Sequence, residues 1–132
     1  MAELPANIAV ASGFVSTPSD AIWDFVSDVA NWPRLFPDWI AAVVADDDRF
    51  TATGPAKEKA DLYPAADAES RSLEVEVVDE LGSADTLRLR VLDVSGGSIV
   101  FVVHGRLSGT SDAAWHAKRD AVESGLLALS VS

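Results

Sequence analysis

Cysteine is absent from this chain, which removes disulfide, thiolate and most zinc chemistry. That composition fits a reducing compartment. Basic residues are scarce, 10 against 21 acidic ones, for a formal net charge of −11 at pH 7. A surface of that sign repels phosphate backbones and anionic membranes, so no nucleic-acid partner is expected. The acidic excess reads as a device for solubility. No apolar run approaches the roughly 20 residues of a membrane helix, so no membrane insertion is expected. Residues 1–7 lack the basic and apolar regions of a signal peptide, and the expected location is the cytoplasm.

Histidine is nearly as rare, with two residues and no H-x-x-x-H or H-E-x-x-H spacing. No metal and no other cofactor is expected. There is no G-x-S-x-G elbow, and Gly96-Gly97 sits in a hairpin rather than before a helix. Asp46-Asp47-Asp48 lacks the alternating ligands and distal glutamate of a calcium loop and reads as a solvated turn. No catalytic residue is assigned. The chain's 132 residues suit one domain, 1–132, large enough to be stable on its own core. No pattern specifies an oligomeric state.

What is present is clear periodicity. Residues 7–16 alternate, with Ile8, Val10, Ser12 and Phe14 on one face, and read as a strand. Thr17-Pro18-Ser19-Asp20 is a helix start, with Thr17 as N-cap and Pro18 at the first helical position. Ile22, Phe25, Val26 and Val29 form the buried stripe of a helix running to about Ser27. Pro33 and Pro37 leave room for only one helical turn between them. Strands are expected at 40–46 and from Phe50, and residues 54–68 read as a strand end followed by a loop.

Residues 71–79 and 86–91 alternate as a hairpin. Centred on Gly82, it places Glu76 opposite Arg88 and Glu74 opposite Arg90 on a solvated face. Leu73, Val75 and Val77 then meet Val91, Leu89 and Leu87 on an apolar face. Residues 99–107 make the last strand. Ser111-Asp112 starts a final helix to about Ser130, with Trp115, Val122, Leu126 and Leu129 on one face and Ala114, Ala121 and Gly125 beside them. The expected fold class is α+β, a curved antiparallel sheet wrapped around a long C-terminal helix, with two short helices after the first strand.

Three stretches resemble the START-like superfamily, also called SRPBCC or helix-grip proteins: AIWDFVSDVANWPRLFPDW (21–39), GSIVFVVHG (97–105) and the helix end ESGLLALS (123–130). The first leans toward the polyketide-cyclase-like branch. The other two lean toward the chaperone-ATPase-activator-like branch. The resemblance implies an apolar cavity between sheet and C-terminal helix that holds a small hydrophobic or amphipathic ligand, without dedicated catalysis. A cyclase or aromatase and a protein-interaction module are the alternatives, because function varies on this fold.

The residues expected to touch the ligand are Trp39, Tyr63, Val75, Leu89, Val91, His104, Val122 and Leu126. Trp39 and Tyr63 each join an apolar body to a polar tip near an expected loop. His104 has two readings. A two-residue Gly96-Gly97 turn points it inward with Val100 and Val102. A three-residue turn points it outward and buries Ile99, Phe101 and Val103 instead. Burial of phenylalanine favours the second, and the family pattern favours the first. His116 is expected to face solvent. The small residues of the final helix either bring it close to the sheet or leave room for a ligand.

Overall fold

The computed structural model describes residues 6–130. Seven strands form one antiparallel sheet: β1 Ile8–Val15, β2 Ala42–Asp46, β3 Arg49–Thr53, β4 Lys59–Asp67, β5 Ser72–Asp79, β6 Ala84–Val94 and β7 Gly97–Gly105. Their order is β1-β7-β6-β5-β4-β3-β2, an uninterrupted meander closed by the first strand pairing with the last. Between β1 and β2 lie α1 Ser19–Val26, a 3₁₀ turn Val29–Asn31 and α2 Trp32–Leu35. The long helix α3, Asp112–Ser130, follows β7. This is the expected helix-grip architecture. Among the described residues no helix is long and apolar enough to cross a membrane.

Local chemistry explains most boundaries and several departures from expectation. Pro18, not Thr17, occupies the N-cap position of α1, with ψ 144° and no side-chain capping bond. The Thr17 carbonyl is held outside the helix by the Ser98 hydroxyl, 2.6 Å away, so the helix begins one residue later. Asp28 caps the 3₁₀ turn by accepting from the Ala30 N–H at 3.0 Å. Ser111 caps α3 by accepting from the Ala114 N–H at 3.1 Å.

The stretch expected to be largely loop, 54–68, contains the nine-residue strand β4. Pro64 obscured it, since proline cannot donate a ladder bond. The structure tolerates Pro64 because β3 pairs β4 only as far as Leu62, leaving one side of β4 without a neighbour there.

The β5–β6 hairpin keeps the expected faces but shifts its register by two residues. Leu73 meets Leu89, Val75 meets Leu87, and Glu74, not Glu76, meets Arg88. The turn is tighter than the Gly82-centred one. Asp79 clamps it by accepting from the N–H groups of Leu81 and Ser83, both at 2.9 Å. A shift of two preserves side-chain direction, so the apolar face survives the error. The Glu74–Arg88 pair, 3.5 Å apart and 61% exposed on both sides, contributes little.

On β1 the alternation is as expected, and the face of Ile8, Val10, Ser12 and Phe14 is the outer one, whereas Ala9 and Val15 are buried. The inner positions of β1 are small because α3 lies directly over them. A Cβ added to Gly13 would sit 2.8 Å from the Leu126 carbonyl oxygen. A Cβ on Gly125 would run into the Leu35 carbonyl and lie 2.7 Å from Phe36 Cδ1. The small residues in the middle of α3 therefore serve close approach. They let it settle between β1 and α2, and the interior beneath is filled.

Candidate functional site

Inner-face positions on successive strands converge at the sheet end that carries the β5–β6 turn. Ala52 on β3 faces Ala60 on β4, and Leu62 faces Val77 on β5. Trp39 and Ile40 close one side from the segment after α2. Leu107, from the β7–α3 connection, and Lys118, on the second turn of α3, close the other. These residues enclose a cleft of about 490 Å³. The volume falls within the range typical of small-molecule sites. Alanine at 52 and 60 is what keeps it open, because larger side chains there would fill it. Its mouth carries the exposed residues Glu58, Lys59, Glu80 and Leu81.

An aromatic cluster fixes the cleft wall. Trp32 is fully buried, with its indole N–H donating to the Val26 carbonyl at 3.0 Å. Its ring meets Phe36 edge-on at 5.6 Å and Trp39 at 5.9 Å. Trp39 is thus braced from behind and presents its other face to the cleft and to Lys118, whose Nζ lies 5.0 Å from the ring centre. The Trp115 ring lies 5.8 Å from the same nitrogen. Lys118 donates to the Gly105 carbonyl at 3.0 Å. Burial pushes its pKa down to about 8, opposed only in part by Asp85. The Asp85 carboxylate is engaged by the Gly105 N–H at 2.8 Å.

His104 points inward with Val100 and Val102, the direction of the two-residue reading, but the turn is not the expected Gly96-Gly97. The turn has two central residues, Ser95-Gly96, because Val94 pairs with Gly97. Gly96 supplies the positive φ of 87° that the turn needs. Phe101 and its odd-numbered neighbours lie on the outer face. The imidazole packs against Trp115, with centroids 5.4 Å apart, and is only 2% exposed. Burial lowers its pKa to about 4, the Lys118 charge adds to the shift, and Asp85 opposes it. Its Nδ1 is buried and finds no hydrogen-bond partner among the described residues. His116 is exposed, as expected.

Of the eight residues expected at the site, the structure brings only Trp39 to the cleft wall. Val75, Leu89, Val91, Val122 and Leu126 are buried in the packed core between sheet and helices. His104 lines a separate, smaller cavity of about 270 Å³ beside β1, with Arg119 and Glu123. Tyr63 lies opposite Glu76 on the outer face, 38% exposed and away from the cleft. The cleft is lined from β3, β4 and Val77 of β5, whereas Leu73, Val75, Leu87 and Leu89 belong to the buried core. Lys118 was missed, although a signal existed. It stands three residues after Trp115 and four before Val122, on the helix's buried stripe, where a lysine is out of character. Among the described residues no group of His, Cys, Asp and Glu could hold a metal ion.

The family model described as polyketide cyclase / dehydrase and lipid transport matches residues 15–125. A Streptomyces halstedii protein to which a polyketide-cyclase role is ascribed is 41% identical over 32 residues, 24% of this chain and 29% of that protein. A START superfamily protein from Mycobacterium smegmatis superposes with TM-score 0.66 at 10% identity, covering 92% of this chain and 97% of that one. The Zhui aromatase/cyclase from Streptomyces sp. R1128 superposes with TM-score 0.61 at 13% identity, covering 94% and 86%. At these identities the structural likenesses establish a shared fold. The family match spans the two short helices, strands β2 to β7 and most of α3, and so includes every wall of the cleft. The chain belongs to the polyketide cyclase/dehydrase and lipid transport family.

Proposed function

We propose that this protein binds a small, largely apolar molecule in the cleft between β3–β5, Trp39 and the first turns of α3. The observation that carries the reading is the contrast within one interior. Val75, Leu87, Leu89 and Val91 are buried in the core, whereas about 490 Å³ stays open where Ala52, Ala60, Leu62, Val77 and Leu107 present apolar surface. Apolar burial supplies the affinity. A ligand of about 20 non-hydrogen atoms at about 0.3 kcal/mol each reaches a Kd on the order of tens of micromolar. Glu58, Asp79 and Glu80 line the mouth against one cation, Lys59, and this net negative rim lets a neutral molecule enter more easily than a carboxylate.

Family membership and fold agree with this reading, and the open cleft disfavours a pure interaction module. The cyclase alternative has support from Lys118, which lines the cleft, rather than from His104, which does not.

Binding is tested with the neutral dye N-phenyl-1-naphthylamine, followed by dye fluorescence, and by competition with lauric acid, lysophospholipid and an anthraquinone. Ala60→Trp fills the cleft and is expected to weaken dye binding at least about tenfold, a change of roughly 1.4 kcal/mol, while the unfolding free energy changes by less than that. Unchanged dye binding in Ala60→Trp would place the dye elsewhere and sink the proposal.

A further inference from the structure

We propose that Lys118 is a reactive amine that captures the carbonyl group of a neutral apolar aldehyde or ketone in the cleft, as a reversible imine. The inference rests on the reading that the cleft holds an apolar molecule, and it names that molecule's chemical class.

The placement of Lys118 is the first support. Lys118 lines the cleft, and its Nζ lies 5.0 Å from the ring of Trp39, another wall residue, and 5.8 Å from that of Trp115. Among the described residues its one hydrogen-bond acceptor is the Gly105 carbonyl, at 3.0 Å. An ammonium has three N–H groups to satisfy, and this contact satisfies one of them. A neutral amine donates one N–H to Gly105, stays oriented, and keeps its lone pair free for the cleft. Asp85, the nearby carboxylate that could hold the ammonium, accepts from the Gly105 N–H instead.

Protonation agrees with that geometry. With a pKa lowered from 10.5 to about 8, roughly a tenth of Lys118 is neutral at pH 7, about 300-fold more than for a free lysine. Desolvation of this kind is a general way of activating a lysine nucleophile. The mouth carries Glu58, Asp79 and Glu80 against the single cation Lys59, a net negative rim that disfavours anions at entry but not neutral carbonyl compounds.

In the reaction the Nζ lone pair attacks the carbonyl carbon. A C–N bond forms, and the carbonyl π pair moves to oxygen, which takes a proton while nitrogen gives one up. The carbinolamine then expels its hydroxyl as water, nitrogen loses its second proton, and the C=N bond forms. The products are imine and water, no oxidant or reductant takes part, and hydrolysis restores both reactants.

Three lysines stand in the sequence, Lys57, Lys59 and Lys118, so the molecule carries its own control. The full chain is incubated with dodecanal or benzoylacetone and cyanoborohydride, which reduces the imine to a stable amine. Peptide mapping then locates the added mass. Trapping at Lys118 at least about tenfold above the exposed Lys57, and absent from Lys118→Arg, is the expected result. Trapping no faster at Lys118 than at Lys57, with N-phenyl-1-naphthylamine still bound, overturns the imine and leaves the cleft as a binding site. Loss of both trapping and dye binding in the wild-type chain overturns both readings. If Lys118→Arg fails to fold, the wild-type ratio of Lys118 to Lys57 decides the matter alone.

Discussion

Replacing Trp32 with alanine is expected to cost about 4 kcal/mol of unfolding free energy, a large share of what a domain of this size has. The indole is fully buried and touches both Phe36 and Trp39. Its removal leaves a large cavity beneath α2 and deprives the Val26 carbonyl of its donor. The effect also reaches the cleft, because Trp39 loses its backing and with it a fixed wall. Urea unfolding followed by far-UV circular dichroism measures the loss. A cost below about 1 kcal/mol would mean that the aromatic cluster is not what holds the short helices to the sheet.

Acidification is expected to remove roughly 3 kcal/mol through His104 alone. The sign follows from where the proton goes. The folded pKa is lowered from 6.5 to about 4, so between those values the unfolded chain binds a proton that the folded chain refuses. The stability held by the neutral imidazole is complete above about pH 6.5, and it is lost as pH falls through 4. His104→Leu removes this titration and leaves no buried Nδ1 without a partner. The unfolding free energy of the variant should therefore fall less between pH 7 and pH 4 than that of the wild type. Parallel pH profiles for the two proteins would assign the acid sensitivity elsewhere.

Much of the fold could be read from the sequence, because alternation and helix-start signals are local. The Leu73–Val77 and Leu87–Val91 faces emerged correctly even though the hairpin register was off by two, since faces repeat with that period. Pro64 hid a strand because proline argues against one, unless the neighbouring strand has already ended, and that is a tertiary fact. The alternation of β1 was legible but not which face turns inward, because Ala9, Ala11 and Gly13 look like the weak face of a strand. Their smallness instead marks where the α3 backbone descends onto the sheet. The candidate site suffered most. The apolar residues of β5, β6 and α3 were legible as an inner wall, but Gly13 and Gly125 let the helix close over them. The open space lies where small residues on β3 and β4 face the first turns of α3, in the stretch that was hardest to read.

The most direct test of the site is where an apolar molecule perturbs the protein. Backbone and methyl NMR spectra recorded while N-phenyl-1-naphthylamine is titrated should show shifts at Ala52, Ala60, Leu62, Val77, Leu107 and the Trp39 indole, all of which line the cleft. Val75, Leu89, Val91, Val122 and Leu126, sealed in the core, should stay nearly still. Shifts concentrated on that core set, or none at the cleft residues at saturating dye, would contradict the placement of the binding site in this cleft.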